Sequence, residues 1–492
     1  MTSKGDHRTW TGKQAGLVGI AILMLAGFCF AQPAVSLSPK DGPPTTTLRV
    51  SGSGFTPYAQ IDIYFDSQDQ ALAVADTAGA FRQVAIQAPK SAVPGNHWVT
   101  AAERSGHLVK QEIFEVHVNW TEFHTKDMHR ENPYENVLSV DNVGRLHVKG
   151  HYATFPNEIF ASPVVVNGVA YFDVGNKLFA VSVQTGALLW SYPAGNTLSP
   201  AVANGVVYVG AIDGNIYALN ARTGALLWSY LTGRQVYSSP AVANGVVYAG
   251  SMDYNLYAWD ASTGALLWIY PTGGEAYSSP AVANGVVYIG SWTSDGNVYA
   301  LDANTGALLW SYQTGYWVNS SPAVANGVVY VGSYDGNIYA LNASTGALLW
   351  SYLTGGFYAS PAAANGVVYV GSGDGNVYAL DASTGALEWS YPTGEPVLAS
   401  PAVANGVVYV GSYDNNVYAL NASTGAKLWS YKTGGAVESS PAVVNGVVYV
   451  GSADCNMYAF GLPKELAPQP PKRPDPKTLR PDFSLKPVST TE

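Results

Sequence analysis

The sequence predicts an all-β protein, an eight-bladed β-propeller closed by an N-terminal strand and preceded by a small β-sandwich. Three observations carry this. Tryptophans recur at Trp190, Trp228, Trp268, Trp310, Trp350, Trp389 and Trp429, with gaps of 38, 40, 42, 40, 39 and 40 residues. A fixed period near forty, built of short apolar runs between turns, marks a propeller or solenoid. Second, a Ser-Pro opening occurs eight times, with prolines at Pro163, Pro200, Pro240, Pro280, Pro322, Pro361, Pro401 and Pro441. Third, the closing Leu-Leu-Trp type of run follows only seven of them. The run Leu146–Thr154 matches that closing run, with Gly150 in place of Trp. It is expected to supply the missing strand and to tie the ends of the ring together, which removes open strand edges.

The copy from Ser321 to Tyr352 shows the unit. Ser321–Ala325 is expected as the innermost strand. Asn326-Gly327 is a two-residue hairpin turn, since both central residues of a type I′ turn need positive φ. Val328–Gly332, Ile338–Leu341 and Leu348–Tyr352 follow as strands. Asp335-Gly336-Asn337 and Asn342–Gly346 make the turns between them.

Around the ring the composition changes. Residues 1–31 read as a secretory signal, with Lys4, Arg8 and Lys13 before an apolar stretch from Ala15 to Phe30 and small residues at Cys29 and Ala31. An uncleaved membrane anchor is the alternative. Phe28 before Cys29 argues against a lipid anchor. Residues 32–118 alternate in short runs, Thr47–Ser51, Gln60–Phe65, Phe81–Ile86, His97–Ala101 and Glu112–Val116, punctuated by Gly and Pro as in a small sandwich. Residues 119–460 form the propeller. Residues 461–492, with Pro468, Pro470, Pro471, Pro474 and Pro481, are expected as a disordered, extended tail.

Charge and cysteine bound the chemistry. The net charge of −10 over 492 residues disfavours nucleic acid as a partner. Cys455 stands alone after cleavage at residue 31, so no internal disulfide is expected. It replaces the Gly of an Asp-Gly-Asn turn. Asp213, Asp253, Asp295, Asp335, Asp374, Asp414 and Asp454 recur at every hairpin, where the turn itself accounts for them. His117, His124, His129, His147 and His151 fit no zinc spacing. No metal site is expected.

The phrase Ala-x-x-Thr-Gly-x-x-x-Trp, as in Ala221–Trp228 and Ala261–Trp268, resembles the repeat of the pyrroloquinoline-quinone (PQQ)-like propellers. The resemblance spans Trp120 to Phe460 and includes the "NWTEFHTKD" entry. It implies that the seven tryptophans named above dock neighbouring blades. The family holds quinoprotein dehydrogenases, which carry PQQ with an adjacent cysteine pair, calcium ligands and long insertions. It also holds non-enzymatic scaffolds, such as the propeller of the outer-membrane barrel assembly machine. This sequence has no Cys-Cys pair, and its largest blade insertion is Thr293-Ser294. No catalytic residue is therefore carried over, and no cofactor is expected; the alternative is a PQQ-dependent dehydrogenase. The string from Ser36 to Pro57, with "PGNHWVTA" later, resembles Ig-like modules, which makes the leading sandwich an Ig-like one.

Strand direction places the Asn-Gly and Thr-Gly turns on one face, and the Asp-Gly-Asn hairpins with the crossings between blades on the other. The copies agree on the first face and differ on the second. The differences give the candidate binding residues: Arg234, Gln235, Tyr237, Glu275, Tyr277, Trp292, Tyr316, Trp317, Asn319, Phe357, Tyr358, Glu395 and Glu438. Aromatic and acidic groups of this kind suit a protein or glycan surface; drift among duplicated loops is the alternative. The expectation is an exported, monomeric binding scaffold, periplasmic or extracellular, with no integral membrane domain after signal cleavage and a protein or glycan partner at the cell envelope.

Overall fold

The computed structural model describes residues 32–488 apart from 107, 126–127, 156, 196–197, 294 and 357–358. The signal expected over residues 1–31 lies outside the described residues, as do Phe357 and Tyr358. Among the described residues every regular element apart from two short 3-10 turns is a strand.

Among the described residues, eight sheets follow one another, seven of four strands and one, from Ala402 to Lys432, extended by the short parallel strand Glu131–Asn132, and their innermost strands meet in a closed ring. Blade 1 holds Val164–Val166, Val169–Val174, Lys177–Ser182 and Leu188–Tyr192. Blades 2 to 7 repeat this from Ala201, Ala241, Ala281, Ala323, Ala362 and Ala402. The innermost strands are only three residues long, shorter than the expected Ser321–Ala325, because the Ser-Pro pair leaves the ladder. Asn326 at φ 49° and Gly327 at φ 78° close the first hairpin of blade 5, as the type I′ turn requires.

Blade 8 has three strands from the C-terminal end, Ala442–Val444, Val447–Gly451 and Asn456–Gly461, and a fourth, His147–Thr154, from the N-terminal side. The closing strand pairs antiparallel with Val148 opposite Phe460 and Gly150 opposite Ala459. Trp350 stands opposite Ala340 in blade 5, so Gly150 occupies the tryptophan's place in the register.

Blades are joined by the tryptophans. Trp310 Nε1 donates to Ala343 O of the next blade at 2.9 Å, and Tyr288 Oη donates to the same carbonyl at 3.1 Å. The same pairing recurs with Trp190 on Ala221, Trp228 on Ala261, Trp268 on Ala303, Trp350 on Ala382 and Trp389 on Ala422. Each of these rings lies over the glycine of the neighbouring Thr-Gly turn. A Cβ on Gly346, which sits at φ 71°, would come within 2.7 Å of Trp310 Cδ2.

The N-terminal body is two sheets. Ala34–Ser38, Thr47–Ser53 and Phe81–Gln87 form one; Asp41–Gly42, Val109–Val116, Gly95–Glu103, Gln60–Phe65 and Gln68–Val74 form the other. They enclose Leu48, Val50, Ile61, Ile63, Phe81 and Phe114, all essentially inaccessible.

The disordered tail expected after residue 460 needs correction. The last strand runs to Gly461, and the chain then lies along the sandwich. The Arg473 guanidinium sits 4.9 Å from the Trp98 ring centroid, and its Nε donates to Gln111 Oε1 at 2.6 Å. Asp482 N donates to Asp69 Oδ2, and Val488 N to Leu72 O, both at 2.8 Å. Prolines withhold backbone donors but leave carbonyls and an extended path. The segment therefore docks through single contacts that periodicity does not reveal.

Candidate functional site

The site is built on the ring's axis. The described residues of the stretch 120–132, namely 120–125 and 128–132, run inside the ring rather than between domains. Trp120 exchanges both backbone bonds with Val165 of blade 1, at 2.8 and 2.9 Å. Thr121 O accepts from Val202 N, Met128 O from Val324 N, His129 O from Ala363 N and Arg130 O from Val403 N. Glu122 Oε2 takes the Val242 amide, and Asn132 Nδ2 reaches Val443 O. The inner strands would otherwise present unpaired amides to the channel, a costly arrangement. The segment thus closes the channel as a plug.

The plug is anchored by Arg130, which is wholly buried. Its guanidinium donates to the carbonyls of Phe123, Pro401 and Pro441, and lies against the Trp120 and Phe123 rings. Burial pushes the Glu122 carboxyl up to about 8 and holds the His124 imidazole down to about 3. Both are therefore neutral near pH 7.

Above the plug, on the face of the crossings, a funnel of about 810 Å³ opens with Phe123 at its floor. Its collar is one serine from every blade, the residue before each Ser-Pro proline: Ser162, Ser199, Ser239, Ser279, Ser321, Ser360, Ser400 and Ser440. Ser239 N donates to Ser279 Oγ, Ser279 N to Ser321 Oγ, Ser321 N to Ser360 Oγ, Ser360 N to Ser400 Oγ and Ser400 N to Ser440 Oγ. Ser440 N returns to Ser162 Oγ at 3.0 Å, and Ser162 N reaches Ser199 Oγ at 2.9 Å. Sequence reasoning missed this collar. Its signal was the invariant serine beside the proline, read only as a blade opening.

Of the candidate binding residues, Tyr237, Tyr277, Asn319 and Glu438 line the funnel. Tyr237 and Tyr277 stack at 5.1 Å with 11° between planes. Tyr277 meets Trp292 at 5.3 Å, Trp292 meets Trp317 at 5.6 Å, and Trp317 stacks on Tyr316 at 4.5 Å. This is one aromatic ladder from funnel to rim, ending at the exposed Tyr316. Arg234, Gln235 and Glu395 lie outside the lining. Glu275 is corrected: it is 7% exposed and its Oε1 takes Arg234 Nη1 at 3.2 Å. A carboxylate of one crossing paired with the arginine of the preceding one is an inter-blade contact, not a free recognition group.

The acids Glu158, Asp173 and Glu438 line the funnel, and the described lining holds no Lys, Arg or His. Burial raises the Glu438 carboxyl, the Tyr413 hydroxyl bonded to it lowers it, and Glu158 raises it again. The seven hairpin aspartates are engaged locally: Asp335 Oδ1 takes Asn337 N, and its Oδ2 takes Tyr339 Oη and, from the preceding crossing, Gly315 N. Cys455 takes φ 69° where Gly336 has 86°. Among the described residues no group of three or more His, Cys, Asp or Glu is placed to hold a metal ion. His124 instead packs edge-on against Phe123, 4.9 Å between centroids. Two hollows on the opposite face, about 460 and 1,080 Å³, are lined by inner-strand and Asn-Gly turn residues of neighbouring blades together with residues of the N-terminal segment, Met128, His129 and Glu131 in the smaller and Asn119, Thr121 and Glu122 in the larger.

An all-β ring of Trp-docked blades defines a propeller of the PQQ-repeat class. The family model for outer membrane protein assembly factor BamB matches residues 120–237, 213–356 and 353–462. These matches cover well over half of the chain, and the chain belongs to that family. The structure is similar to BamB from Moraxella catarrhalis, with 21% identity, TM-score 0.56, and 64% of this chain and 100% of that chain covered. It is also similar to a europium-containing methanol dehydrogenase, with 16% identity, TM-score 0.60, and 70% and 98% covered. These likenesses show the fold. The alcohol dehydrogenase (quinone) dehydrogenase subunit of Gluconobacter oxydans (strain 621H) is 35% identical over 102 residues, 18% of this chain. That stretch spans only 13% of the relative's length. Among the described residues no helix is long and apolar enough to cross a membrane.

Proposed function

We propose that this chain is an exported, non-enzymatic binding scaffold of the cell envelope, contacting its partner with the face of the crossings. One observation carries the reading. The aromatic ladder from Tyr237 to Tyr316 occupies positions where the blades differ, whereas the opposite face repeats one set of turns. Aromatic anchors that open from a packed pocket to an exposed rim are the usual energetic centre of a recognition surface. The match to an outer-membrane assembly factor supports a scaffold role at the envelope.

The test is capture from the native envelope by the purified protein and by a Tyr237→Ala, Tyr316→Ala, Trp317→Ala variant. Loss of a partner that the folded variant no longer retains supports the reading; undiminished capture contradicts it.

The second reading, a PQQ-dependent dehydrogenase, is favoured by the 35% identical stretch. The funnel does not fit the cofactor well. PQQ is a polycarboxylate, and the described lining supplies carboxylates without a cation; Arg130 beneath the floor is committed to backbone carbonyls. Titration with PQQ and calcium, read by quinone absorbance and dye reduction, separates the two readings.

A further inference from the structure

We propose that the funnel is a saccharide site that takes the end of a neutral or amine-bearing glycan and rejects an anionic one. This rests on the chain being a binding scaffold, and it names the ligand of that scaffold's central pocket.

The cavity, about 810 Å³, is of the size that holds small-molecule ligands. Its walls differ across the axis. On the side of blades 3 and 4 stand the stacked rings of Tyr237 and Tyr277, flat apolar surface of the sort that covers the C–H face of a pyranose. Opposite, at the entries to blades 8 and 1, stand Glu438 and Glu158. Carboxylates there accept sugar hydroxyls and repel a uronate or phosphate. Between them runs the serine collar. Each of seven collar Oγ atoms accepts a backbone amide, so the O–H hydrogen is left for an acceptor that the described residues do not supply. Asn319, also on the wall, has a buried Oδ1 with no partner, a group whose desolvation a ligand hydroxyl would offset. An acceptor-rich and donor-rich polyol with apolar faces matches all of these groups at once.

A peptide matches them less well. Peptides gain affinity by pairing with exposed strand edges, and the inner-strand amides of Val165, Val202, Val324, Ala363 and Val403 are already taken by residues 120–130.

Isothermal titration of the full chain with chitotetraose, cellotetraose, maltotetraose, tetragalacturonate and tri-lysine tests the assignment. At least one neutral tetrasaccharide is expected to bind, Tyr237→Ala and Tyr277→Ala each weakening it by about tenfold or more. Tetragalacturonate is expected to stay silent. Leu398→Trp, which adds bulk to the funnel wall at the entry to blade 7, is expected to abolish binding and keeps the test sound should the tyrosine variants fail to fold. No binding of any neutral sugar at about 10 mM, tighter binding of tetragalacturonate or tri-lysine, or binding indifferent to Leu398→Trp would overturn the assignment. Envelope capture that is still lost in the Tyr316 and Trp317 variants would then leave the scaffold reading standing without it.

Discussion

Trp429 Nε1 donates to Leu146 O at 3.0 Å across 283 residues of sequence. In the six preceding blades the tryptophan reaches an alanine carbonyl in the next blade's turn. The last blade has no such turn, because its outer strand comes from before the first blade. Leu146 takes over for the indole, but the Tyr409 hydroxyl, whose counterparts share the alanine carbonyl, is left buried without a partner. The seam thus leaves one buried hydroxyl unpaired where the six preceding joints pair theirs.

The seam predicts where the ring opens first. Trp429→Phe removes the indole bond to Leu146 O at the seam and should destabilise by about 1–3 kcal/mol, since it leaves a buried acceptor unpaired. Hydrogen exchange should rise first over Asn456–Gly461. Uniform loosening of all blades would contradict this.

The docking contact predicts a steep cost at any interior blade. Trp310→Ala removes a buried ring and its bond to Ala343, and should cost about 3–5 kcal/mol by denaturant titration. Gly346→Ala should also destabilise, since its Cβ collides with the ring at a positive φ.

The buried Glu122 predicts the pH dependence of the plug. Its folded pKa is raised to about 8, so between the ordinary carboxylate range and pH 8 the folded state holds a proton that the unfolded chain has lost. Its contribution is greatest below the unfolded pKa and falls as pH rises towards 8. Glu122→Gln should match the parent in Tm near pH 5 and exceed it at pH 8, by about 1–2 °C for each kcal/mol recovered in a ring of this size. Equal Tm values at both pH values would count against a neutral Glu122.

The docked tail predicts protection. Arg473→Ala removes the contact with Trp98 and Gln111, and should speed proteolytic removal of the residues after Pro463 while leaving the propeller intact. Cleavage at the parent's rate would contradict this.

Much of this was legible in the sequence. The all-β class, the Trp positions and the displaced strand at Leu146 follow from the repeat, since one register serves every copy. The funnel was not legible. The serine collar exists only when eight copies of one residue face a common axis, and Glu275 pairs with Arg234 only because two crossings lie side by side. The strand Gln68–Val74 was missed because its first half is polar, and the tail because its anchors are isolated. The plug was half legible: the propeller's start at residue 119 places the segment within the ring domain, but its path along the inner strands follows from three-dimensional amide matching.

The central claim is that recognition belongs to the face of the crossings. Photo-crosslinking in native envelopes tests it most directly, with the reactive group placed at Tyr316 on that face or at Ser344 in the Asn342–Gly346 turn of the opposite face. A discrete adduct from position 316, absent from position 344, is the predicted result. An adduct from position 344 alone, or from neither, would contradict it.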